Sequence, residues 1–183
     1  MVVLIVEGPD LSGKSYAIEK IGKYFNNGLI LKNTYKPNKS GDTEIYHRYW
    51  KILNLLEFGW ASPKTDVHVL DRFFPSQAVY SIMRGEDEMY STNIAQLDSY
   101  CSLRDYLYVY LDTPMSELEK RYDSRGDEHI QKQTLKTLKK RYDEFYKYTK
   151  MKKIKVSTLE DKVNNNWLEK IKNEVDKIEG RLE

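Results

Sequence analysis

Short apolar segments alternate along the chain with longer segments of helical periodicity. Apolar or β-rich runs recur at 2–7, about 28–34, about 66–71, about 106–112 and about 152–157. Each run is short enough to form a single strand. The stretches 131–150 and 161–178 are charged and carry apolar residues at helical spacing, which is typical of outer helices. The alternation predicts a three-layer α/β fold, in which helices cover both faces of a central parallel sheet of about five strands.

Two polar stretches interrupt this pattern, at 35–44 and 85–92, and both are predicted to be loops. No linker rich in glycine and serine divides the chain. We therefore expect one domain over 1–183. The end of the chain, 178–183, resembles a protease recognition site, so we expect no functional residue there.

Composition narrows the class of protein. The chain has 183 residues, of which 40% are hydrophobic, as expected of one globular domain. Its net charge of +2 gives no overall field that would favour nucleic acid. A single cysteine, Cys101, excludes an intramolecular disulfide and is compatible with a reducing compartment. No apolar segment reaches the length of a membrane span or a signal peptide, so we expect a cytoplasmic protein without nucleic-acid or membrane partners.

A complete phosphate-loop motif follows the first apolar run. Residues 8–15 read Gly-Pro-Asp-Leu-Ser-Gly-Lys-Ser, which fits G-x-x-x-x-G-K-[ST], and a helical pattern comes directly after. Its two glycines permit a tight turn that aims backbone N–H groups at phosphate. Lys14 should reach the β- and γ-phosphates of a nucleotide, and the Ser15 hydroxyl should ligate Mg²⁺. The predicted donor-binding set is Gly8, Asp10, Ser12, Gly13, Lys14 and Ser15.

A second pair of polar residues closes the third apolar run. Asp71 follows a buried strand beside the phosphate loop, where a carboxylate can hold Mg²⁺ directly or through water. Arg72 should emerge at the carboxyl edge of the sheet, where its guanidinium fork suits a bidentate contact with phosphate. The alternative is an ordinary surface Asp–Arg pair that ends a strand.

These motifs resemble the thymidylate kinase family of nucleoside monophosphate kinases. The family opens with E-G-x-D-x-x-G-K-[ST], and residues 7–15 fit this pattern. It also carries a D-R-[YFH] motif followed by serine and then an aromatic residue, a spacing that residues 71–80 reproduce. The resemblance extends from residue 2 to about residue 157.

The resemblance implies how an acceptor nucleotide would be held. Asp10 would contact the 3′-hydroxyl of the deoxyribose, and Arg72 would bind the acceptor phosphate. Ser76 and Gln77 would lie near the base. Tyr80 would occupy the place of a 2′-hydroxyl and so favour deoxyribonucleotides.

Two further cations are implied by weaker matches. Lys39, within 37–40, stands where the family has an arginine in a Pro-Glu-Arg-Ser segment. Arg48, within 47–50, resembles the family's Asn-Arg-Trp element and could contact phosphate or base. The alternatives are a solvated loop cation for Lys39 and a surface helix residue for Arg48.

A lid is expected around 121–131, after the fourth apolar run. Arg121 and Arg125 are four residues apart, so on a helix they share one face. Some family members place a catalytic arginine inside the phosphate loop, at the position that Leu11 occupies here. We therefore expect the lid to stabilise the transferring phosphoryl group, with Arg125 as the first choice. The alternative is a charged helix paired through Glu117 and Arg121.

The expected reaction is transfer of phosphate from MgATP to a deoxynucleoside monophosphate, with dTMP as the first choice, by a homodimer as is usual among relatives. A deoxynucleoside kinase of the same fold would use a carboxylate base near the end of the second strand. The stretch 29–36 contains no acid. No Asn-Lys-x-Asp motif of guanine-binding GTPases is present. A non-catalytic nucleotide-binding regulator is the alternative of another class, which the intact Lys14, Ser15 and Asp71 argue against.

Overall fold

The computed structural model describes residues 1–25, 30–32, 43–58, 67–126, 130–159 and 166–180. Its strands are β1 (Val2–Glu7), β2 (Ile30–Lys32), β3 (Val67–Asp71), β4 (Tyr106–Leu111) and β5 (Lys152–Val156). Its helices are α1 (Lys14–Tyr24), α2 (Thr43–Phe58), α3 (Phe74–Tyr80), α4 (Thr92–Ser102), α5 (Met115–Arg125), α6 (Lys132–Tyr148) and α7 (Asn166–Ile178). A 3₁₀ turn, Ser81–Arg84, follows α3 directly.

The strands form one parallel sheet in the order β2-β3-β1-β4-β5. β1 and β4 are buried along their whole length, because a strand covered by helices on both faces requires apolar side chains on both. The predicted α/β fold with a five-stranded parallel sheet is therefore confirmed. Since all strands run in one direction, the carboxyl ends of β1, β3 and β4 meet at one edge, where open α/β sheets bind ligands.

Two apolar clusters attach the helices to the sheet, one on each face. α1 and α7 cover one face with buried side chains that include Ile18, Ile21 and Trp167. α2, α3, α4 and α6 cover the other face. Phe74 of α3 and Phe145 of α6 are fully buried there, with ring centroids 6.0 Å apart. Burying a phenylalanine side chain stabilises a fold by about 1.5–3 kcal/mol, so this contact fixes α3 against α6 beside the ligand-binding edge.

The observed helices follow the predicted pattern except at the ends of the two predicted loops. α6 and α7 confirm the two predicted outer helices. The loop predicted for 35–44 is wrong at residues 43 and 44, where α2 begins. Glu44 lies in the first turn of α2, where a negative charge favours the helix start. Residues 35–42 lie outside the described part of the chain.

The second predicted loop, 85–92, is confirmed as far as Ser91. Gly85 ends the 3₁₀ turn with a φ of 77°, a left-handed conformation that glycine adopts without strain. The Ser91 hydroxyl accepts a hydrogen bond from the backbone N–H of Ile94, so α4 begins at residue 92, inside the predicted loop.

Residues 179 and 180, the last ones described, follow α7 directly. A carboxylate oxygen of Glu179 lies 3.6 Å from the terminal amine of Met1. Within the described ranges, no helix is both long and apolar enough to cross a bilayer.

Candidate active site

The phosphate loop connects the end of β1 to the start of α1. A Cβ atom at Gly8 would lie 2.9 Å from Ser12 Oγ and 3.1 Å from the Leu111 carbonyl oxygen, so only glycine fits. Leu11 and Gly13 have φ values of 67° and 87°, which curl the backbone tightly. Gly13 directly precedes α1, whose first N–H groups and positive dipole end therefore lie at the loop. The loop has the local geometry of an anion site.

Lys14 and Ser15 occupy the first turn of α1. Lys14 is half-buried, and its Nζ lies 3.4 Å from the Gly8 carbonyl oxygen, to which it donates. Burial, reinforced by the positive charge of Arg72, lowers the pKa of Lys14 to about 8, while Asp10, Glu7 and Asp71 oppose this shift. Ser15 is exposed. The amine is thus held back on its own loop, beside the place where phosphate would bind.

Asp71 ends β3 opposite Val6 of β1 and is half-buried. Its charge is close enough to raise the pKa of Lys14. Among the described residues, no three His, Cys, Asp or Glu side chains come together as a metal site. Mg²⁺ that arrives with a nucleotide requires only one or two protein ligands besides phosphate oxygens and water. Asp71 and Ser15 suit that chemistry.

Arg72 is the centre of a compact polar network at the end of β3. Its Nη2 donates to Asp10 Oδ1 at 2.5 Å. Its Nη1 donates to Ser76 Oγ at 3.0 Å and to Tyr142 Oη at 2.8 Å. Glu7 Oε2 lies 4.0 Å from Nη1. The guanidinium is therefore oriented by groups from β1, the phosphate loop, α3 and α6.

Glu7 organises the backbone on which Arg72 stands. Its side chain is fully buried and accepts from the N–H groups of Phe73 at 2.7 Å and Ser76 at 3.2 Å. Ser76 Oγ and Tyr142 Oη donate to its other oxygen at 2.6 and 3.2 Å. Burial raises the pKa of Glu7, an effect that Arg72 partly offsets. Arg72 itself has a left-handed φ of 64°, a conformation that costs energy in a residue with a Cβ and that these hydrogen bonds help to hold.

Asp10 and Tyr80 complete the network. The Tyr80 hydroxyl donates to Asp10 Oδ2, so each oxygen of Asp10 has its own donor. The Arg72 guanidinium lies over the Tyr80 ring, 5.1 Å from its centroid, which adds a cation–π attraction. The structure thus brings together Asp10, Arg72, Ser76 and Tyr80, residues that the sequence assigns to one acceptor site.

Gln77 lies one residue beyond Ser76 on α3 and points into a different environment. It is buried, and its Nε2 donates to Glu88 Oε2 at 2.5 Å. Glu88 belongs to the predicted loop and carries no sequence motif. Glu7 and Tyr142 were likewise not assigned to the site from sequence; Glu7 at least falls inside the E-G-x-D-x-x-G-K-[ST] pattern, whereas Tyr142 gives no sequence signal.

The two lid arginines have different positions on α5. Arg121 Nη1 donates to the Leu11 carbonyl oxygen at 2.7 Å, and its Nε donates to Glu117 Oε1 at 2.8 Å. A Cβ at Gly13 would lie 3.4 Å from Arg121 Nη1. Arg125 is exposed at the last residue of α5. The structure places Arg121 against the phosphate loop and Arg125 at the outer end of the helix.

The remaining predicted acceptor residues are less informative. Lys39 lies outside the described residues. Arg48 is exposed on α2. Tyr49, next to Arg48 on α2, is buried against Phe73 with ring centroids 4.8 Å apart, so it belongs to the core.

Comparisons with known proteins agree with this architecture. No family model matches the chain. The sequence is 24% identical over 144 residues to the SPbeta prophage-derived YorR protein of Bacillus subtilis strain 168, covering 79% of this chain and 81% of that protein. The crystal structure of B. subtilis YorR in complex with phosphorylated GDP has a TM-score of 0.76 at 20% identity, covering 100% of this chain and 99% of that one.

Deoxyadenosine kinase from M. mycoides, solved with the products dCMP and dCDP, has a TM-score of 0.57 at 20% identity and covers 97% of this chain and 100% of that one. The chain has the fold of the P-loop nucleotide kinases. At these identities the likeness extends to the fold, and the activity has to be argued from the site.

Proposed function

We propose that this protein transfers the γ-phosphoryl group of ATP to a deoxynucleoside monophosphate, with dTMP as the first candidate. The observation that supports this most is the oriented guanidinium of Arg72, held by Asp10, Ser76 and Tyr142 beside the phosphate loop. A fixed cation at the carboxyl edge of the sheet suits an acceptor that already carries phosphate.

The donor side follows from the loop. Lys14 would leave the Gly8 carbonyl and neutralise charge on the β- and γ-phosphates, and the N-terminus of α1 would bind the same anion. Ser15 and Asp71 would hold Mg²⁺, which supplies further neutralisation of the transferring group when it is bound with ATP. Phosphoryl transfer depends on alignment and charge stabilisation rather than on a covalent intermediate. The proposed donor-side groups are of the types that this reaction requires.

Arg121 is the better placed of the two lid arginines for the transfer itself. Its guanidinium already contacts the Leu11 carbonyl and lies next to Gly13. A small displacement would bring it from the backbone oxygen to a phosphate oxygen. We therefore assign charge stabilisation first to Arg121, and Arg125 remains a prediction that depends on closure of the lid.

On the acceptor side, Arg72 would bind the phosphate, Asp10 the deoxyribose 3′-hydroxyl, and Tyr80 the 2′ side of the sugar. To take these roles, Arg72 and Asp10 must exchange part of their present contact for the ligand. Because both groups are already oriented, little conformational freedom is lost on binding. The homodimer expected from the family resemblance stays a prediction.

A deoxynucleoside kinase is the second candidate. The similarity to the fold of deoxyadenosine kinase favours it, and Asp10 is a carboxylate that could act as base toward a 5′-hydroxyl. Against this, both oxygens of Asp10 already accept hydrogen bonds from Arg72 and Tyr80, so Asp10 would have to give up one of these contacts to accept a proton from a 5′-hydroxyl.

The test is an ADP-release assay with MgATP and, at equal concentration, the four deoxynucleoside monophosphates, UMP and thymidine. GTP should be compared with ATP as donor, because YorR binds phosphorylated GDP in its crystal structure. Rapid ADP formation with one or more monophosphates is expected. Absence of ADP formation with every acceptor would contradict the proposed kinase activity and favour a non-catalytic nucleotide-binding regulator.

A further inference from the structure

Leu11 has a backbone conformation that is unfavourable for leucine. It is the third residue of a turn closed by a hydrogen bond from the Ser12 N–H to the Pro9 carbonyl oxygen at 3.2 Å, and its φ is 67°. A left-handed third residue is typical of a type II turn, where glycine or asparagine is preferred. Because a Cβ atom makes this conformation costly, the turn requires support from the surrounding structure.

This conformation gives the phosphate loop its shape. Leu11 and Gly13 are left-handed, whereas Ser12 between them is not. Alternation of this kind turns successive N–H groups toward one side of the backbone and forms a concave anion site. The carbonyl oxygens of such a loop face away from the anion. Where they are shielded from water, they require hydrogen-bond donors on the outer side of the loop.

The segment after β4 supplies donors to two of these carbonyl oxygens. Arg121 Nη1 donates to the Leu11 carbonyl at 2.7 Å. The hydroxyl of the buried Thr113 donates to the Ser12 carbonyl at 3.2 Å. Glu117 Oε1 accepts from Arg121 Nε at 2.8 Å and so orients the guanidinium. The outer side of the loop is therefore held by α5 and by the turn that precedes it.

The Leu11 side chain explains why glycine is not needed at this position. It is 7% exposed and belongs to the apolar cluster on the face of the sheet covered by α2, α3, α4 and α6. Burial of leucine is favourable, and a hydrogen bond from a charged guanidinium is stronger than one between neutral groups. Together the two contributions offset the cost of the left-handed conformation.

We propose that Arg121 forms the donor site before a nucleotide binds, by holding Leu11 in its left-handed conformation through the Leu11 carbonyl. In this role Arg121 is a positioning residue. Once phosphate occupies the loop, the phosphate oxygens bind the N–H groups and hold the same conformation, so the guanidinium becomes free to move to the transferring group. The inference rests on the donor half of the proposed function.

The test measures dissociation constants by calorimetry for ADP, which lacks the transferring phosphoryl group. Arg121→Ala should weaken ADP binding about tenfold, because only about a tenth of the free protein would then keep the loop in its binding conformation. Lys120→Ala is the matched control. It removes a neighbouring exposed cation of α5 and should leave ADP binding unchanged.

Two further backgrounds separate positioning from direct contact with phosphate. In Leu11→Gly and in Leu11→Asn, the left-handed conformation costs less than in leucine. Arg121→Ala should therefore weaken ADP binding by at most about threefold in either background. A direct contact of Arg121 with phosphate is lost equally in all three backgrounds and cancels. Glycine and asparagine differ in size and polarity, so agreement between them excludes an effect of lost packing.

Urea denaturation without nucleotide gives a second measurement. Arg121→Ala should lower the midpoint more in the Leu11 protein than in Leu11→Gly or Leu11→Asn, because only leucine depends on the contact. Equal weakening of ADP binding in all backgrounds, equal weakening by Lys120→Ala, or absence of ADP binding would overturn the inference.

Turnover separates this inference from the proposed activity. A protein that shows the expected dependence on residue 11 but forms no ADP from MgATP with any acceptor would contradict the proposed activity and still support the role of Arg121. A protein that turns over, but in which Arg121→Ala has the same effect on ADP binding in every background, would do the reverse.

Discussion

The guanidinium of Arg72 donates a hydrogen bond to the phenol oxygen of Tyr142, 2.8 Å away, although the two residues are 70 positions apart in the sequence. The same phenol donates to the buried carboxylate of Glu7 at 3.2 Å. One hydroxyl from α6 therefore connects the cation at the end of β3 with the carboxylate at the end of β1. We infer that it restricts the guanidinium to one orientation before any ligand binds.

Replacement of Tyr142 by phenylalanine tests this restriction. The ring, which stacks on Tyr110 with centroids 5.9 Å apart, is kept and only the hydroxyl is lost. We expect the KM for dTMP to rise about three- to tenfold and the KM for ATP to change less than about twofold, as for a lost hydrogen bond of roughly 1 kcal/mol. Steady-state kinetics with each substrate varied would measure both.

Tyr108→Phe is the matched control for Tyr142→Phe. Tyr108 is also fully buried and packs on Phe145, but its phenol oxygen has no partner in the described part of the chain. Its loss should leave both KM values unchanged. Equal rises in both KM values for Tyr142→Phe would show that the hydroxyl supports the whole fold rather than the acceptor side.

Arg72→Lys tests the acceptor cation while keeping a positive charge near Glu7. Lysine cannot reproduce the fork that contacts Asp10, Ser76 and Tyr142 together. We expect kcat/KM for the monophosphate to fall by an amount equivalent to about 2–4 kcal/mol, with KM for ATP nearly unchanged. Arg104→Lys, at a half-buried pair with Glu57 remote from the phosphate loop in the sequence, is the control. Equal effects on both substrates would make Arg72 a structural or donor-side residue.

Lys14→Ala should abolish nearly all turnover in a protein that still unfolds cooperatively. The Lys14 amine donates to the Gly8 carbonyl of its own loop and is not part of either apolar cluster, so its removal should leave the core intact. Lys23→Ala, on the same helix and exposed beside Glu19, should remain active. Turnover close to wild type in Lys14→Ala would contradict the donor site.

The pKa of Lys14 adds a pH dependence with a definite sign. Burial lowers this pKa from 10.5 to about 8, so the folded protein loses the proton at lower pH than the unfolded chain does. Between about pH 8 and 10.5 the unfolded chain binds more protons, and the contribution of Lys14 to the free energy of unfolding rises with pH. The free energy of unfolding can be measured by urea denaturation at about pH 7.5 and 9.5. The difference between wild type and Lys14→Ala should shift in favour of wild type at the higher pH. An opposite sign would mean that Lys14 is stabilised as a cation in the folded protein.

The parts of the site that the sequence predicts are the local ones. The phosphate loop and the Asp71–Arg72 pair each lie within a few residues at the end of a strand, so periodicity and motif together locate them. The long-range contacts gave no such signal. Arg121 donates to the carbonyl oxygen of Leu11, which is 110 positions away in the sequence. Helical spacing does not distinguish Arg121 from Arg125, which shares its helix face one turn farther along.

Glu88 illustrates the same limit from within a predicted loop. The polar stretch around it indicates a turn, but the direction of its side chain depends on Ser81, Arg84 and Gln77 from the preceding helical segment. Sequence pattern assigns element type through backbone preference and apolar spacing, whereas the partner of a buried polar group is decided by tertiary packing. The partner of Glu88 therefore could not be predicted from the sequence pattern.

The last prediction concerns the acceptor, for which Arg72 would select a phosphate and Tyr80 a deoxyribose. If Arg72 binds the acceptor phosphate, thymidine should be a very poor substrate beside dTMP, because it lacks the anion that aligns the attacking oxygen. Tyr80 lies under the guanidinium and donates to Asp10, so its ring is fixed next to the expected sugar site. Deoxyribonucleotides should be preferred, and Tyr80→Ala should narrow the gap between dTMP and UMP by opening the 2′ side. Initial rates with dTMP, dCMP, dAMP, dGMP, UMP and thymidine measure the preference for a monophosphate, for a deoxyribose and for a particular base. Preferential phosphorylation of thymidine would show a nucleoside kinase and contradict the proposed monophosphate kinase activity. Similar rates for several deoxynucleoside monophosphates would support the proposed mechanism with a broader base preference.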